Sequence, residues 1–358
     1  MSRIFEEMAT LPALTELSPE QLEAWLTERG QPAYRARQIR RALVAGRPFE
    51  SMDDLPRDVR RSLHETFRPS SLSTVRRWEA DGGLTTKRLY QLDGGHTVEA
   101  VLMRYARRAT LCISSQVGCP IRCPFCATGQ GPFGRNLRAH EILDQAIEAH
   151  HELTGEDRRL SHVVFMGMGE PLANYDAVLD AVRRITDTAW LGISPRRVVV
   201  STSGLVPMID RLGQEGLPLT LAVSLHAARD ALRDELVPLN RRYPLSELIP
   251  AARRFASRTG RRISYEWVLL AGVNDTDRDA EELASLVDHP LAHVNVIPFN
   301  PVPGTPYQEP DARSMSRFVR LLTDAGVTVT IRDTRGRDTD AACGQLRARA
   351  LEDGATAG

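Results

Sequence analysis

The chain is predicted to be an α/β protein, a partial (β/α) barrel preceded by a helical N-terminal domain. Three observations predict this. From about residue 84, short apolar runs rich in β-branched residues alternate with amphipathic helical stretches, the pattern of parallel strands joined by crossover helices. The ends of those runs carry polar, glycine-rich or cysteine-rich clusters, where an α/β barrel places its active site. Before residue 84 the signals are helical. A length of 358 residues suits one large α/β domain with a smaller one attached.

The N-terminal segment gives the clearest local signals. "SPEQLEAWLTERG" holds a capping box, Ser18 with Gln21 three later, and Pro19 at the first helical position. Leu22, Trp25 and Leu26 share a face, and Gly30 is the expected stop. "PAYRARQIRRALVAG" follows and also ends on glycine. Arg29, Arg35, Arg37, Arg40, Arg41 and Arg47 fall in a stretch without an acid, either an RNA-backbone contact or a solvated helix face. The predicted strands are "RLYQL", "HTVEAVLM", "ATLCISS", "HVVFMGM", "RRVVVSTS", "LTLAVSLH", "SYEWVLL", "HVNVIPF" and "VTVTIRD". The expected division is 1–83, a helical RNA-binding accessory domain; 84–104, connecting strands; 105–337, the core barrel; and 338–358, a C-terminal segment.

Formal net charge is zero, so bulk charge gives no support for a polyanionic partner. Of the 46 basic residues only Lys87 is a lysine. Arginine forks match phosphate geometry, although genome base composition produces the same bias. The N-terminus lacks a signal-peptide pattern and no apolar run is long enough to span a bilayer. A cytoplasmic protein without a membrane partner is expected. There, cysteines serve as metal ligands or catalysts more often than as staples.

Cys119, Cys123 and Cys126 stand in "GCPIRCPFCATGQ" at C-x3-C-x2-C spacing. Three readings are open. Zinc accepts both spacings but wants a fourth protein ligand. Unrelated buried thiols fit poorly with three cysteines in eight residues of a proline-broken loop. A [4Fe–4S] cluster held by three thiolates leaves one iron open to a small molecule.

The triplet, placed after a predicted strand, resembles the signature of radical S-adenosylmethionine (SAM) enzymes. The motifs "VVFMGMGEPLANYDAV", "VSTSGLVP", "AVSLHA", "GVND", "IPFNPVPGTPY" and "AACGQL" extend the likeness over nearly the whole chain. Together they resemble the RlmN/Cfr family of radical SAM RNA methyltransferases, whose branches methylate carbon 2 or carbon 8 of adenine. The carbon-2, dual-specificity branch is the nearer in these motifs.

That resemblance implies a radical SAM barrel with one [4Fe–4S] cluster on Cys119, Cys123 and Cys126, and SAM on the open iron. It implies SAM contacts from Gly169, Glu170, Ser201, Ser224, Leu225 (through its backbone), His226 and Asn300. Cys343 matches the cysteine that carries a methyl group, Cys112 the thiol that resolves it through a transient disulfide, and Glu99 the proton acceptor. Two SAM molecules are spent per methyl. The implied substrates are 23S rRNA at the peptidyl transferase centre and tRNA next to the anticodon. An electron donor such as flavodoxin with its reductase, a thiol reductant and a monomeric state are also implied. Arg332, Arg335 and Arg337 are expected to bind RNA phosphate or to pair with Asp333 and Asp338. A zinc-stabilised, non-catalytic RNA-binding module is the alternative from another class.

Overall fold

The computed structural model describes residues 11–333, 335–336 and 339–346. α1 (Pro19–Thr27) begins at the predicted box: Gln21 N–H donates to Ser18 Oγ at 3.2 Å and Ser18 N–H to Gln21 Oε1 at 2.7 Å. Gly30, just past its end, has φ +67°, which glycine adopts without strain. Leu22 and Leu26 are buried, and Trp25 meets Phe67 edge to face at 5.4 Å. α2 (Arg35–Val44) and α3 (Arg57–Thr66) complete the helical part.

The arginine run does not form one solvated face. Arg40 is buried near the Trp190 ring, Arg47 pairs with Asp54 at 3.2 Å, and Arg29 lies over Trp25. Arg37 and Arg41, four residues apart on α2, stay exposed.

Ten strands form one sheet in sequence order. β1 (Ser73–Ala80), β2 (Thr85–Gln91), β3 (Thr97–Tyr105) and β4 (Arg108–Cys112) pair antiparallel. β5 (His162–Phe165), β6 (Val198–Thr202), β7 (Thr220–Ser224), β8 (Ile263–Leu269), β9 (Ala292–Pro298) and β10 (Val329–Ile331) continue from β4 in parallel. Among the described residues β1 and β10 do not pair, so the barrel is open, as expected for a partial one. The helices following α3 are α4 (Ala127–Gln130), α5 (Ala139–Thr154), α6 (Tyr175–Thr186), α7 (Val206–Leu212), α8 (Asp230–Leu236), α9 (Leu245–Thr259), α10 (Asp277–Leu286) and α11 (Ala312–Asp324).

All nine predicted strands are present, with ends moved by a few residues. β1 is a correction, because it lies in the stretch read as helical. Its side chains are almost all exposed, so it lacks the apolar alternation that marks a half-buried strand. Backbone pairing with β2 holds it instead.

Register divides the sheet into two faces. Val163, Phe165, Val198, Val200, Leu221, Val223, Ile263, Tyr265, Trp267, Val294 and Val296 are buried and form the apolar face. The other parity is smaller and more polar: Cys112, Ser201, Ser224, Ser264, Glu266, Asn295 and Thr330. Among the described residues, no helix is long and apolar enough to cross a membrane.

Asp144 on α5 joins the N-terminal part to the barrel. Its Oδ2 accepts from Ser71 N–H (2.7 Å), Ser71 Oγ (2.6 Å) and Thr15 Oγ1 (3.0 Å). Burial pushes its carboxyl up to about 7, against the opposing pull of these donors. A carboxyl raised on folding binds its proton more tightly in the folded state. Its contribution to stability is therefore full below the unfolded value near 4 and is lost as pH rises through about 7. Urea unfolding of wild type and Asp144→Asn is expected to diverge over that window. Wild type should lose on the order of 2–4 kcal/mol relative to the variant as pH rises; parallel pH profiles would contradict this.

Candidate active site

The loop leaving β4 carries the cysteine triplet, and α4 starts directly after Cys126. Cys119, Cys123 and Cys126 stand in the wall of one open cavity. Gly169, Glu170, Ser201, Ser224, His226, Asn300 and Cys343 line it too. These ten residues, all singled out in the sequence, thus meet at one cavity, and Arg332 joins them there. Of the strand residues in its wall, Ser201, Ser224, Glu266, Val268 and Ile297 come from the more polar face, and Phe165 and Pro298, at strand ends, from the other.

Leu225 is not in the lining. It is fully buried, its N–H donates to the Glu266 carbonyl at 3.0 Å, and its carbonyl accepts from Arg233 Nε at 3.0 Å. Its contribution is to fix the loop between Ser224 and His226.

Burial pushes the Cys119 thiol up to about 12 and raises Cys123 and Cys126 as well. Thiols in this setting become thiolates when a metal centre supplies positive charge. Among the described residues no three His, Cys, Asp or Glu side chains converge on a single ion position. The three cysteines share one cavity wall with Phe125, and thiolates are the ligands of iron–sulfur clusters.

The turn after β5 is packed so tightly that only glycine fits. A Cβ on Gly167 would lie 2.6 Å from the Ile113 carbonyl oxygen. One on Gly169, at φ +104°, would lie 2.6 Å from Gln116 Cβ. This close approach delivers Glu170 to the cavity. Its carboxylate accepts from Leu172 N–H (3.1 Å) and Ser203 N–H (2.7 Å), while burial raises its pKa.

His226 sits at φ +58°, and its Nδ1 accepts from the Val268 N–H at 3.0 Å. Nδ1 is therefore unprotonated, leaving Nε2–H as a donor. Burial pushes the ring down to about 3, so it is neutral across physiological pH. Asn300 Nδ2 donates to the Cys343 carbonyl at 3.2 Å. Among the described residues its buried Oδ1 has no partner, an acceptor left for a ligand's N–H or O–H. These donors and acceptors, with Ser201 and Ser224, fit a ligand rich in hydroxyl, amino and carboxylate groups.

The C-terminal segment lies across this cavity. Ala127 N–H donates to the Gly344 carbonyl (2.7 Å), Thr128 Oγ1 to the Leu346 carbonyl (2.7 Å) and Gln345 Nε2 to the Pro301 carbonyl (2.9 Å). α4, directly after the triplet, therefore holds the Cys343 segment. Cys343 lines a second, smaller cavity as well, shared with Cys112, Met166 and Arg332. Both thiols are free. Burial pushes Cys112 up to about 12, and Cys343 beside it adds to the rise, while the Arg332 guanidinium opposes it.

Glu99 is 2% exposed, not an outward strand residue. It pairs with Lys87 at 3.3 Å, and its carbonyl accepts from Ser114 Oγ at 2.6 Å. Arg335 pairs with Asp333 at 2.8 Å, and Arg332 reaches Met166 Sδ at 3.4 Å. Arg337 and Asp338 lie outside the described residues. Sequence reasoning missed Glu266, which accepts from Ser264 Oγ and Asn295 Nδ2, both at 2.7 Å. Its signal was an acid inside the apolar run "SYEWVLL".

Comparison with known proteins places this geometry among relatives. The Radical SAM superfamily model matches residues 113–286. The chain is 49% identical over 346 residues to a "Probable dual-specificity RNA methyltransferase RlmN" of Frankia casuarinae, covering 94% of this chain and 82% of the relative. A protein of the same description from Moorella thermoacetica is 49% identical over 347 residues, covering 95% and 98%. The crystal structure of a radical SAM methyltransferase from Sphaerobacter thermophilus superposes with a TM-score of 0.91 at 45% identity, covering 94% of this chain and all of that one.

Replacing Cys119, Cys123 or Cys126 by Ala is expected to abolish iron retention after anaerobic reconstitution, read as iron content and visible absorption. Cys343→Ala is expected to keep the iron. Equal iron in all four variants would contradict the placement of the centre.

Proposed function

The chain belongs to the RlmN family of radical SAM RNA methyltransferases, and from that premise we propose that it methylates carbon 2 of adenine in 23S rRNA and tRNA, using Cys343 as the carrier. The observation that carries the reading is the placement of Cys343. It lines both the triplet's cavity and the smaller cavity that holds Cys112.

Carbon 2 of adenine is not nucleophilic, so polar displacement on SAM cannot methylate it. When bound, the cluster and SAM supply a one-electron cleavage that yields methionine and a 5′-deoxyadenosyl radical. The protein's own groups do the rest. Cys343 first takes a methyl group from one SAM: its sulfur–carbon bond forms, the sulfonium–methyl bond breaks, and S-adenosylhomocysteine leaves. The 5′-deoxyadenosyl radical takes a hydrogen atom from that methyl, becoming 5′-deoxyadenosine, and the methylene carbon adds to carbon 2, joining protein and RNA. Glu99 accepts the ring proton, and the unpaired electron left on the adduct would return to the oxidised cluster. Cys112 then attacks Cys343 Sγ, so a disulfide forms as the methylated RNA departs.

Gly169 and Glu170 support the methionyl end of SAM, and Ser201, Ser224, His226 and Asn300 its hydroxyls and adenine. The apolar, water-poor cavity protects a radical from quenching. The substrate base must leave its stack to enter. Exposed Arg37 and Arg41 on α2 are available to RNA phosphates. An external electron donor and a thiol reductant complete the cycle, which the reading places in the cytoplasm with the protein as a monomer.

The test is anaerobic reaction of reconstituted protein with SAM, a reductant and an rRNA or tRNA fragment, followed by nucleoside mass spectrometry. 2-Methyladenosine is expected from wild type and none from Cys343→Ala. Cys112→Ala is expected to accumulate a covalent protein–RNA adduct on denaturing gels. 8-Methyladenosine would overturn the regiochemistry, and methylation surviving in Cys343→Ala would overturn the carrier.

A further inference from the structure

Lys87 is the single lysine among 46 basic residues. Whatever favours arginine elsewhere in this chain has not acted at this position, which is 6% exposed. Register explains the company it keeps. Trp78 on β1 and Val101 on β3 flank Lys87 in one cross-strand row, and Cys112 pairs with Val101 in the same row. Glu99, two residues before Val101, shares that face.

Among the described residues, the Lys87 ammonium has three close neighbours. Glu99 Oε1 is 3.3 Å away, the Asp340 carbonyl accepts from it at 3.3 Å, and the Trp78 ring centroid lies at 4.6 Å. A carboxylate, a carbonyl and a π face match the three N–H donors of one ammonium. A guanidinium is planar and spreads its donors in a rigid fork, so arginine cannot reproduce three contacts around one nitrogen. Asp340 is three residues from Cys343. Lys87, Glu99 and Asp340 also wall a common small cavity with Gln345 and Pro301.

We propose that Lys87 is a positioning residue for the methyl transfer, aiming the Glu99 carboxylate and coupling it to the docked Cys343 segment. The inference rests on reading Glu99 as the proton acceptor. Lys87 itself touches no reacting atom. Its ammonium compensates the buried carboxylate and fixes its direction, and the bond to Asp340 ties that direction to the segment that delivers the methyl carrier.

The test follows release of RNA from the covalent adduct in single-turnover reactions of reconstituted holoenzyme with SAM, reductant and an rRNA fragment. Methylation of Cys343 is followed in parallel by mass spectrometry. Lys87→Arg keeps the charge and therefore carries the test. It is expected to load Cys343 and form the adduct but to release RNA about tenfold or more slowly, as Glu99→Gln also does. The double variant Lys87→Arg/Glu99→Gln is expected to release RNA no more slowly than Glu99→Gln alone, because one residue acts through the other. Wild-type release by Lys87→Arg with slow release by Glu99→Gln would overturn the role of Lys87 alone. Multiplied defects in the double variant would do the same. Wild-type release by Glu99→Gln would overturn the base reading beneath it. Should Lys87→Arg fail to fold, Lys87→Met in the Glu99→Gln background, a pair without buried charge, asks the same question: release slower than in Glu99→Gln overturns the proposal.

Discussion

The continuous hydrogen-bonded register from β1 to β10 decides which side chains can meet. Side chains alternate across a sheet, so each pairing hands its parity to the next strand. Trp78, Lys87, Val101 and Cys112 form one row across four strands, and Ser224, Glu266 and Asn295 another across three. A one-residue slip between any two strands would turn one half of this face into the apolar core. The large apolar side chains of the other parity, Phe165, Tyr265 and Trp267 among them, oppose such a slip, because each is 1% exposed or less. The packing on one face thus fixes the chemistry on the other.

Burial then sets the character of the site. Thiols along the cavity and the Glu170 carboxyl are raised by desolvation, while His226 is held neutral and used as a hydrogen-bond donor. Buried thiols of this kind become thiolates when a metal centre supplies positive charge. Glu99 has its partner in Lys87, and the cysteine triplet is suited to a metal cluster. The Cys343 segment is the joint between the two. It is held by α4, directly after the triplet, through Ala127 and Thr128, by Asn300, and by Lys87 through Asp340.

Much of this was legible in the sequence, for stated reasons. The Ser18–Gln21 box and the alternation of strands with helices depend on short-range pattern, and both appear as predicted. Polar residues directly after apolar runs, such as Ser224 and Asn300, gather at one cavity because parallel strands bring their C-terminal ends together. β1 was not legible, since an exposed strand held by backbone pairing has no apolar signature. Nor was the burial of Glu99, whose strand is buried along almost its whole length and so lacks alternation. The neighbourhood of Cys112 and Cys343 depends on docking a segment more than two hundred positions away, which no local pattern encodes. Lys87 stood out by composition alone; its meaning needed the register.

The most direct test of the account is to follow the methyl hydrogens. SAM whose transferable methyl carries deuterium at every position would be given to the reconstituted protein with an rRNA fragment, and both 5′-deoxyadenosine and the modified adenosine would be weighed by mass spectrometry. The account predicts that one deuterium appears in 5′-deoxyadenosine and that the new methyl on RNA keeps the remaining two, because the group is stripped of a hydrogen while it rests on Cys343. A methyl arriving on RNA with all its deuterium intact would contradict it.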